Sequence, residues 1–329
     1  MAKPKVAFYW CSSCGGCEEA VVDLAEGLLD VAAAVDIVLW PVAIDAKYED
    51  IEKMEDGEIT VSFINGAIRL DEQQEIAQLL RRKSQVVIAF GSCAQLGGIP
   101  GLANFKDKES ILSRAFFEVA TTVNPDKVLP QAHCVDEGHE LTLPNLWNTV
   151  RRLDEVVDVD YFLPGCPPMP DTISQALDAL LSGNLPEKGA ILSPTKNLCS
   201  ECSRRDSKPE TIAVEKFQRI IDVDIPEEDC FLAHGVLCMG PATRSGCGER
   251  CISANMPCRG CYGPCDGVTD QGLAMLSALA GSVNLKKPEE FDRIFKTLDD
   301  AAGTLYRFSL PASIAHNGGL LQREGGDEQ

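Results

Sequence analysis

The sequence predicts an α/β protein in two parts, a parallel sheet covered on both faces by helices and then an irregular, cysteine-rich segment. Three observations lead there. Over the first half, short and nearly continuous apolar runs alternate with stretches of helical periodicity, the pattern of strands buried on both faces. Around Leu185 that periodicity fades, and Cys, Gly, Pro and Arg dominate as far as Cys265. Fifteen cysteines are present, most of them at strand ends or in the irregular part. The change of texture divides the chain into residues 1–188 and 189–329.

Taken in order, KVAFYW (5–10) is a strand and residues 18–34 carry helical periodicity. DIVLWPVA (36–43) and EITVSFINGAI (58–68) are strands, followed by the amphipathic helix DEQQEIAQLLRRKS (71–84). QVVIAFGSC (85–93) is a buried strand, ILSRAFFEVATTV (111–123) a helix, VDYFLPGC (159–166) a strand and DTISQALDALLSG (171–183) a helix. Helical periodicity returns near Gln271–Ala280 and Pro288–Ala302. No repeat of solenoid length is visible, although both halves carry Cys-x2-Cys pairs.

The chain has 50 acidic against 30 basic residues, a net charge of -20, which argues against nucleic acid or an anionic membrane as partner. No run approaches the roughly 20 apolar residues of a membrane span. The opening MAKPKVAFYW enters a strand with no leader pattern, so a cytoplasmic location is expected. In a reducing compartment, clustered cysteines point to metal or redox chemistry and not to disulfides.

Parallel strands place their carboxyl ends on one edge, where ligands of open α/β sheets bind. Cys14 and Cys17 follow the first strand, Cys93 ends AFGSC and Cys166 ends FLPGC. These four thiols can therefore converge, and each has Gly or Pro beside it for close approach to a bulky group. Four thiolates suit a tetrahedral zinc or an iron–sulfur cluster. Downstream, Cys199, Cys202, Cys230, Cys238, Cys247, Cys251, Cys258, Cys261 and Cys265 place nine cysteines in 67 residues. Structural zinc is the competing reading for this half. His234 lies between two of these cysteines and is read as a neighbour of a site, not a ligand; His133, His139 and His316 have no partners at ligand spacing. Glu18 and Glu19 are read as opening a helix, where carboxylates favour the dipole. There is no G-x-G-x-x-G after the first strand, no phosphate-binding G-x-x-x-x-G-K-[ST], and no hydrolase motif. No catalytic residue and no nucleotide or flavin site is assigned.

With these residues assembled, the chain resembles the small subunit of NiFe hydrogenases, and more narrowly the cytoplasmic, methyl-viologen-reducing type associated with heterodisulfide reductase. CGGCEE, GSCAQLGGIPG and PGCPP carry the resemblance in the first half; CMGPATRSGC and PCRGCYGP carry it in the second. It spans nearly the whole chain. The resemblance implies a flavodoxin-like domain followed by an iron–sulfur domain, with three 4Fe-4S clusters and a nickel–iron active site on a separate large subunit. By the same resemblance, Cys14, Cys17, Cys93 and Cys166 hold a proximal cluster, and Cys199, Cys202, Cys230 and Cys238 a distal one. Membrane-type relatives have histidine at the first distal position, where this chain has Cys199. Cys247, Cys258 and Cys261 match three medial ligands; Cys251 is taken as the fourth, with Cys265 its rival. Cys11 and Cys134 are left over, Cys11 close enough to Cys14 to complicate the proximal set. The implied partners are the large subunit, a small iron–sulfur adaptor and heterodisulfide reductase. Competing readings are a deazaflavin-reducing hydrogenase small subunit, a quinone-reducing subunit of the complex I type with one cluster, and a zinc-stapled scaffold.

Overall fold

The computed structural model describes residues 3–212, 216–282 and 288–314; His316 lies outside them. In the first half, strand β1 (Lys5–Trp10) leads into helices α1 (Gly16–Val22) and α2 (Gly27–Ala34), strand β2 (Asp36–Leu39) and a short helix α3 (Tyr48–Glu52). Strands β3 (Ile59–Asn65) and β4 (Ile68–Leu70), helix α4 (Asp71–Lys83), strand β5 (Ser84–Phe90) and helices α5 (Ser92–Leu96) and α6 (Lys108–Ser113) come next. A hairpin of β6 (His133–Asp136) and β7 (His139–Thr142), strands β8 (Leu146–Arg151) and β9 (Tyr161–Leu163) and helix α7 (Pro170–Ser182) complete this half.

The main sheet has five parallel strands in the order β2-β1-β3-β5-β9, the flavodoxin-like doubly wound order. Both faces are apolar because alternate residues of each strand serve opposite cores. Ala7, Tyr9, Ile64, Val87 and Ala89 pack with Ile76, Ala77 and Leu80 of α4. Val6, Phe8, Phe63, Ile88 and Phe90 pack with Ala20 and Val21 of α1 and Ile173, Ala176 and Leu177 of α7. The second half has a core of its own around Leu198, Phe231, Met239, Ile252 and Met275. It is built mostly from turns, with helices α8 (Arg250–Ser253), α9 (Gln271–Ser282), α10 (Pro288–Phe295) and α11 (Ala301–Leu305).

Several elements differ from the sequence reading. The expected helix over 18–34 is broken into α1 and α2 by turns in which Ala25 takes φ 52. Residues 58–68 are not one strand: Gly66 turns the chain at φ +90, and β4 then pairs antiparallel with β8. A Cβ at Gly66 would stand 2.7 Å from the Cys11 carbonyl carbon, so glycine is required there. The expected helix 111–123 starts earlier, at Lys108 in α6, passes into a π-helical stretch over Arg114–Glu118 and ends there, five residues short of Val123. The β6–β7 hairpin and β8 carry too weak an alternation to be seen in sequence.

The rim of the sheet at the start of β9 is fastened by Asp160. Its carboxylate accepts from the Val87 backbone N–H at 2.8 Å, Arg81 at 2.6 Å and Lys188 at 2.5 Å. Burial opposes the charge, but Lys188, Arg81 and the Val87 amide outweigh it and hold the carboxyl below its usual range. Asp160→Asn is expected to cost about 2 kcal/mol at neutral pH, lessened by the exposure of Lys188. Because the folded carboxyl is depressed, its contribution is complete above the unfolded value of about 4 and fades as pH falls through the folded one. Urea denaturation at pH 7 and in acid checks both: the gap between variant and wild type narrows in acid.

Candidate metal centres

The first thiol set lies where the chain leaves three parallel strands. Cys14 and Cys17 sit in the turn and first helical residues after β1, Cys93 in α5 after β5, and Cys166 in the turn after β9. They form one electrostatic group. Burial raises the Cys17 thiol, and Cys93, Cys166 and Cys14 raise it further. Burial likewise pushes Cys93 up to about 12, with Cys166 and Cys14 adding to it. Glycine makes the convergence possible: a Cβ at Gly91 would lie 2.4 Å from Cys17 Sγ, and one at Gly98 2.4 Å from Cys93 Sγ. Cys14 is the exposed member of the set.

Asn65, at the end of β3, holds the Cys14 loop from below. Its Nδ2 donates to Tyr9 O at 3.2 Å and Glu18 Oε1 at 3.3 Å, and its Oδ1 accepts from Ser13 Oγ at 2.8 Å. Glu18 is therefore more than a carboxylate at a helix start. It is 3% exposed, and burial raises its carboxyl while Asn65 and Trp40 pull it back. Neither role was legible in sequence, since each depends on a neighbouring strand. Cys11 is separated from this set: it points to the opposite face and packs among the core residues under α4, where burial raises its thiol.

In the second half, Cys199, Cys202, Cys230 and Cys238 form another group. Burial pushes Cys199 up to about 11; Lys208 pulls it back, and Cys202, Cys230 and Cys265 push it up. Cys238 is pushed up to about 12 by burial, eased by the Gly240 and Cys258 amides and raised by Cys199 and Cys230. Gly240 again clears space, its missing Cβ 3.3 Å from Cys199 Sγ and 3.6 Å from Cys238 Sγ. His234 binds Asp229 Oδ2 at 2.8 Å through Nε2, a neighbour of Cys230 held by a carboxylate.

The third group contains Cys247, Cys251, Cys258 and Cys261. Burial pushes Cys261 up to about 12, with Cys166, Cys247 and Cys251 among the groups acting on it. Cys258 is raised by burial, then by Cys238 and Cys261. Cys265 stands apart: burial raises it, Arg244 pulls it down, and the thiol it influences is Cys199. Cys134 is exposed on the β6–β7 hairpin, away from every group.

The three groups touch in sequence. Cys166 acts on the Cys261 thiol through its own thiol, which raises it, and through its backbone amide, which lowers it, so the first group adjoins the third. Ser92 Oγ donates to Cys261 O, and Met169 N donates to Tyr262 OH at 3.1 Å, so the Cys261–Tyr262 loop is tied to the turns that follow both β5 and β9. The Cys258 N–H donates to Cys238 Sγ at 3.3 Å, joining the third group to the second. Among the described residues, no group of three or more His, Cys, Asp or Glu is arranged to hold a single metal ion. The donor sets are thiolate-rich, glycine-cleared and largely buried, which fits iron–sulfur ligation. Held near 12, thiols such as Cys93, Cys238 and Cys261 keep their protons at neutral pH, so thiolate ligation there releases them.

Residues 14–180 match the family described as NADH ubiquinone oxidoreductase, 20 Kd subunit. Over 313 residues, 94% of this chain and 97% of the relative, the sequence is 39% identical to the iron-sulfur subunit of the F420-non-reducing hydrogenase of Archaeoglobus profundus. The chain belongs to this hydrogenase subunit family. It is accordingly a subunit of an oxidoreductase. A subunit of the F420-non-reducing hydrogenase of Methanothermobacter marburgensis is 40% identical over 95% of this chain and 96% of its own length. Among solved structures, the recombinant NiFeSe hydrogenase of Desulfovibrio vulgaris Hildenborough superposes with a TM-score of 0.52 at 18% identity, covering 81% of this chain and 95% of that one. That likeness concerns the fold. No helix among the described residues is long and apolar enough to cross a membrane.

Gly91→Ala tests the role of glycine beneath the first set. With φ +85 and a Cβ 2.4 Å from Cys17 Sγ, the variant must displace that sulfur. Iron retained per chain is expected to fall by about four, the content of one cluster, with the remainder unchanged. Full retention shows that the turn absorbs the added methyl group.

Proposed function

We propose that this chain is the electron-transfer small subunit of a NiFe hydrogenase, relaying electrons from H2 oxidation toward a small iron–sulfur adaptor and heterodisulfide reductase. The observation that carries the reading is the row of three thiol groups joined by the Cys166–Cys261 and Cys258–Cys238 contacts. On this reading Cys14, Cys17, Cys93 and Cys166 hold the proximal 4Fe-4S cluster. Cys247, Cys251, Cys258 and Cys261 hold the medial one, and Cys199, Cys202, Cys230 and Cys238 the distal one. Such clusters supply one-electron transfer without proton chemistry at the protein. The chain's own residues space the sites, bury them and donate hydrogen bonds to their sulfurs, which are the protein's means of setting potentials.

The nickel–iron active site lies on the large subunit, and this chain contributes no catalytic residue. The exposed Cys14 marks the edge facing that subunit, and the second half faces the acceptor. The one-cluster quinone reductase reading accounts for residues 14–180 but leaves the nine downstream cysteines without a purpose. The deazaflavin-reducing reading is disfavoured by relatives named for not reducing F420.

Iron, acid-labile sulfide, zinc and nickel should be measured on the chain purified anaerobically, alone and with its partner. The expected result is about twelve irons with equal sulfide per chain, three clusters of four irons. Nickel should appear only with the large subunit. Zinc in place of iron, or about four irons, overturns the reading. Cys251→Ala is expected to lower the iron content or convert the medial electron paramagnetic resonance signal, while Cys265→Ala leaves both unchanged. The opposite outcome makes Cys265 the fourth medial ligand.

A further inference from the structure

From Phe105 to Asn148 no residue is buried, although Asn104 before this stretch and Thr149 and Val150 after it are. Its two ends are clamped together. Asn104 Nδ2 donates to Val150 O at 2.9 Å, and the Val150 N–H donates to Asn104 Oδ1 at 2.7 Å. The Lys108 N–H reaches Asn148 Oδ1 at 2.8 Å, and the Asn145 N–H reaches Asp71 Oδ1 at 2.9 Å. Between these ties the chain projects as an arm carrying the isolated β6–β7 hairpin. Val123 is 91% exposed, Val135 67%, Val128 62% and Leu143 56%. A two-stranded ribbon is marginal by itself in water and leaves two open edges. Apolar groups at this density mark a docking surface.

The position of the roots selects the occupant. Residues 99–105 leave directly from Gly98, which abuts Cys93 Sγ. Strand β8 pairs with β4, and β4 follows the Ser12–Ala67 bridge two residues before Cys14. The arm therefore rises from the edge on which Cys14 is exposed. A protein that exchanges electrons with this thiol set must cover the same edge. A second copy of this chain fits poorly, since each copy carries a net charge of -20 and the hairpin tip adds Asp136, Glu137 and Glu140.

We infer that the arm between Phe105 and Asn148 is a docking element for the hydrogenase large subunit. The inference rests on the proposed role of the chain as that subunit's partner. Cys134 supplies a natural reporter, since it is exposed on β6. In the cluster-loaded protein, maleimide labelling of Cys134, read by peptide mass spectrometry, should be at least about tenfold slower with the large subunit bound than without it. Val135→Asp with Leu143→Asp should weaken large-subunit binding at least about tenfold, the loss of an interface anchor, with iron and sulfide content unchanged. Equal labelling in the two states, or unchanged binding by the variant, overturns the inference. So does a self-associated chain that shields Cys134 without the large subunit. If the wild-type chain holds no clusters or does not bind a large subunit, the functional reading fails instead, and the two failures are distinguishable.

Discussion

Parallel pairing forces the carboxyl ends of β1, β5 and β9 onto one edge of the sheet, and the first thiol set exists because of it. Cys14, Cys17, Cys93 and Cys166 span half the sequence yet act on one another electrostatically. The second half then builds outward from that edge. Its loop carrying Cys261 and Tyr262 is fastened to the loops carrying Ser92 and Met169 by two hydrogen bonds. Without the edge, the remaining thiol groups would have nothing to line up against.

Bringing many sulfurs together under burial is costly, and the chain meets that cost with glycine and backbone amides. Gly91, Gly98 and Gly240 clear a Cβ from the neighbourhood of Cys17, Cys93 and Cys199. The Cys258 amide donates to the Cys238 sulfur, and the Cys166 amide lowers the Cys261 thiol that burial raises, so each acts between one group and the next. The same bonds therefore serve packing and electronic tuning, since hydrogen bonds to sulfur stabilise its anionic form. Burial and donor supply are not uniform: Cys14 and Cys251 are exposed, while Cys17, Cys93, Cys238 and Cys258 are buried. The exposed members show where other proteins can approach most closely.

The arm from Phe105 to Asn148 shows the opposite economy. The rest of the first half buries most of its apolar residues on two faces of a sheet, whereas no residue of the arm is fully buried and only Trp147, near its root, packs against a core cluster. Its fixed roots and open tip give it a defined direction without a core. This is the arrangement expected of a segment whose burial is completed by another protein.

Residue pattern alone determined the parallel α/β half, the strands β1 and β5, the helices α4 and α7 and the presence of clustered thiols. Buried parallel strands must be continuously apolar, and a covering helix must repeat every three to four residues, so both constraints are written locally. Which thiols belong together was legible to the extent that strand ends and close spacing reveal it. Tertiary structure decided the rest. Cys11 and Cys14 are three residues apart, but strand alternation and the following turn send Cys11 into the core under α4. Spacing puts Cys251 ahead of its rival Cys265 as fourth medial ligand, and in the fold Cys251 acts on Cys261, whereas Cys265 acts on Cys199 and is itself lowered by Arg244. Glu18 and Asn65 meet only because β1 and β3 are neighbours. The β6–β7 hairpin was not legible in sequence because its residues are exposed and join no core cluster of this chain, and periodicity records only a face that the chain itself buries.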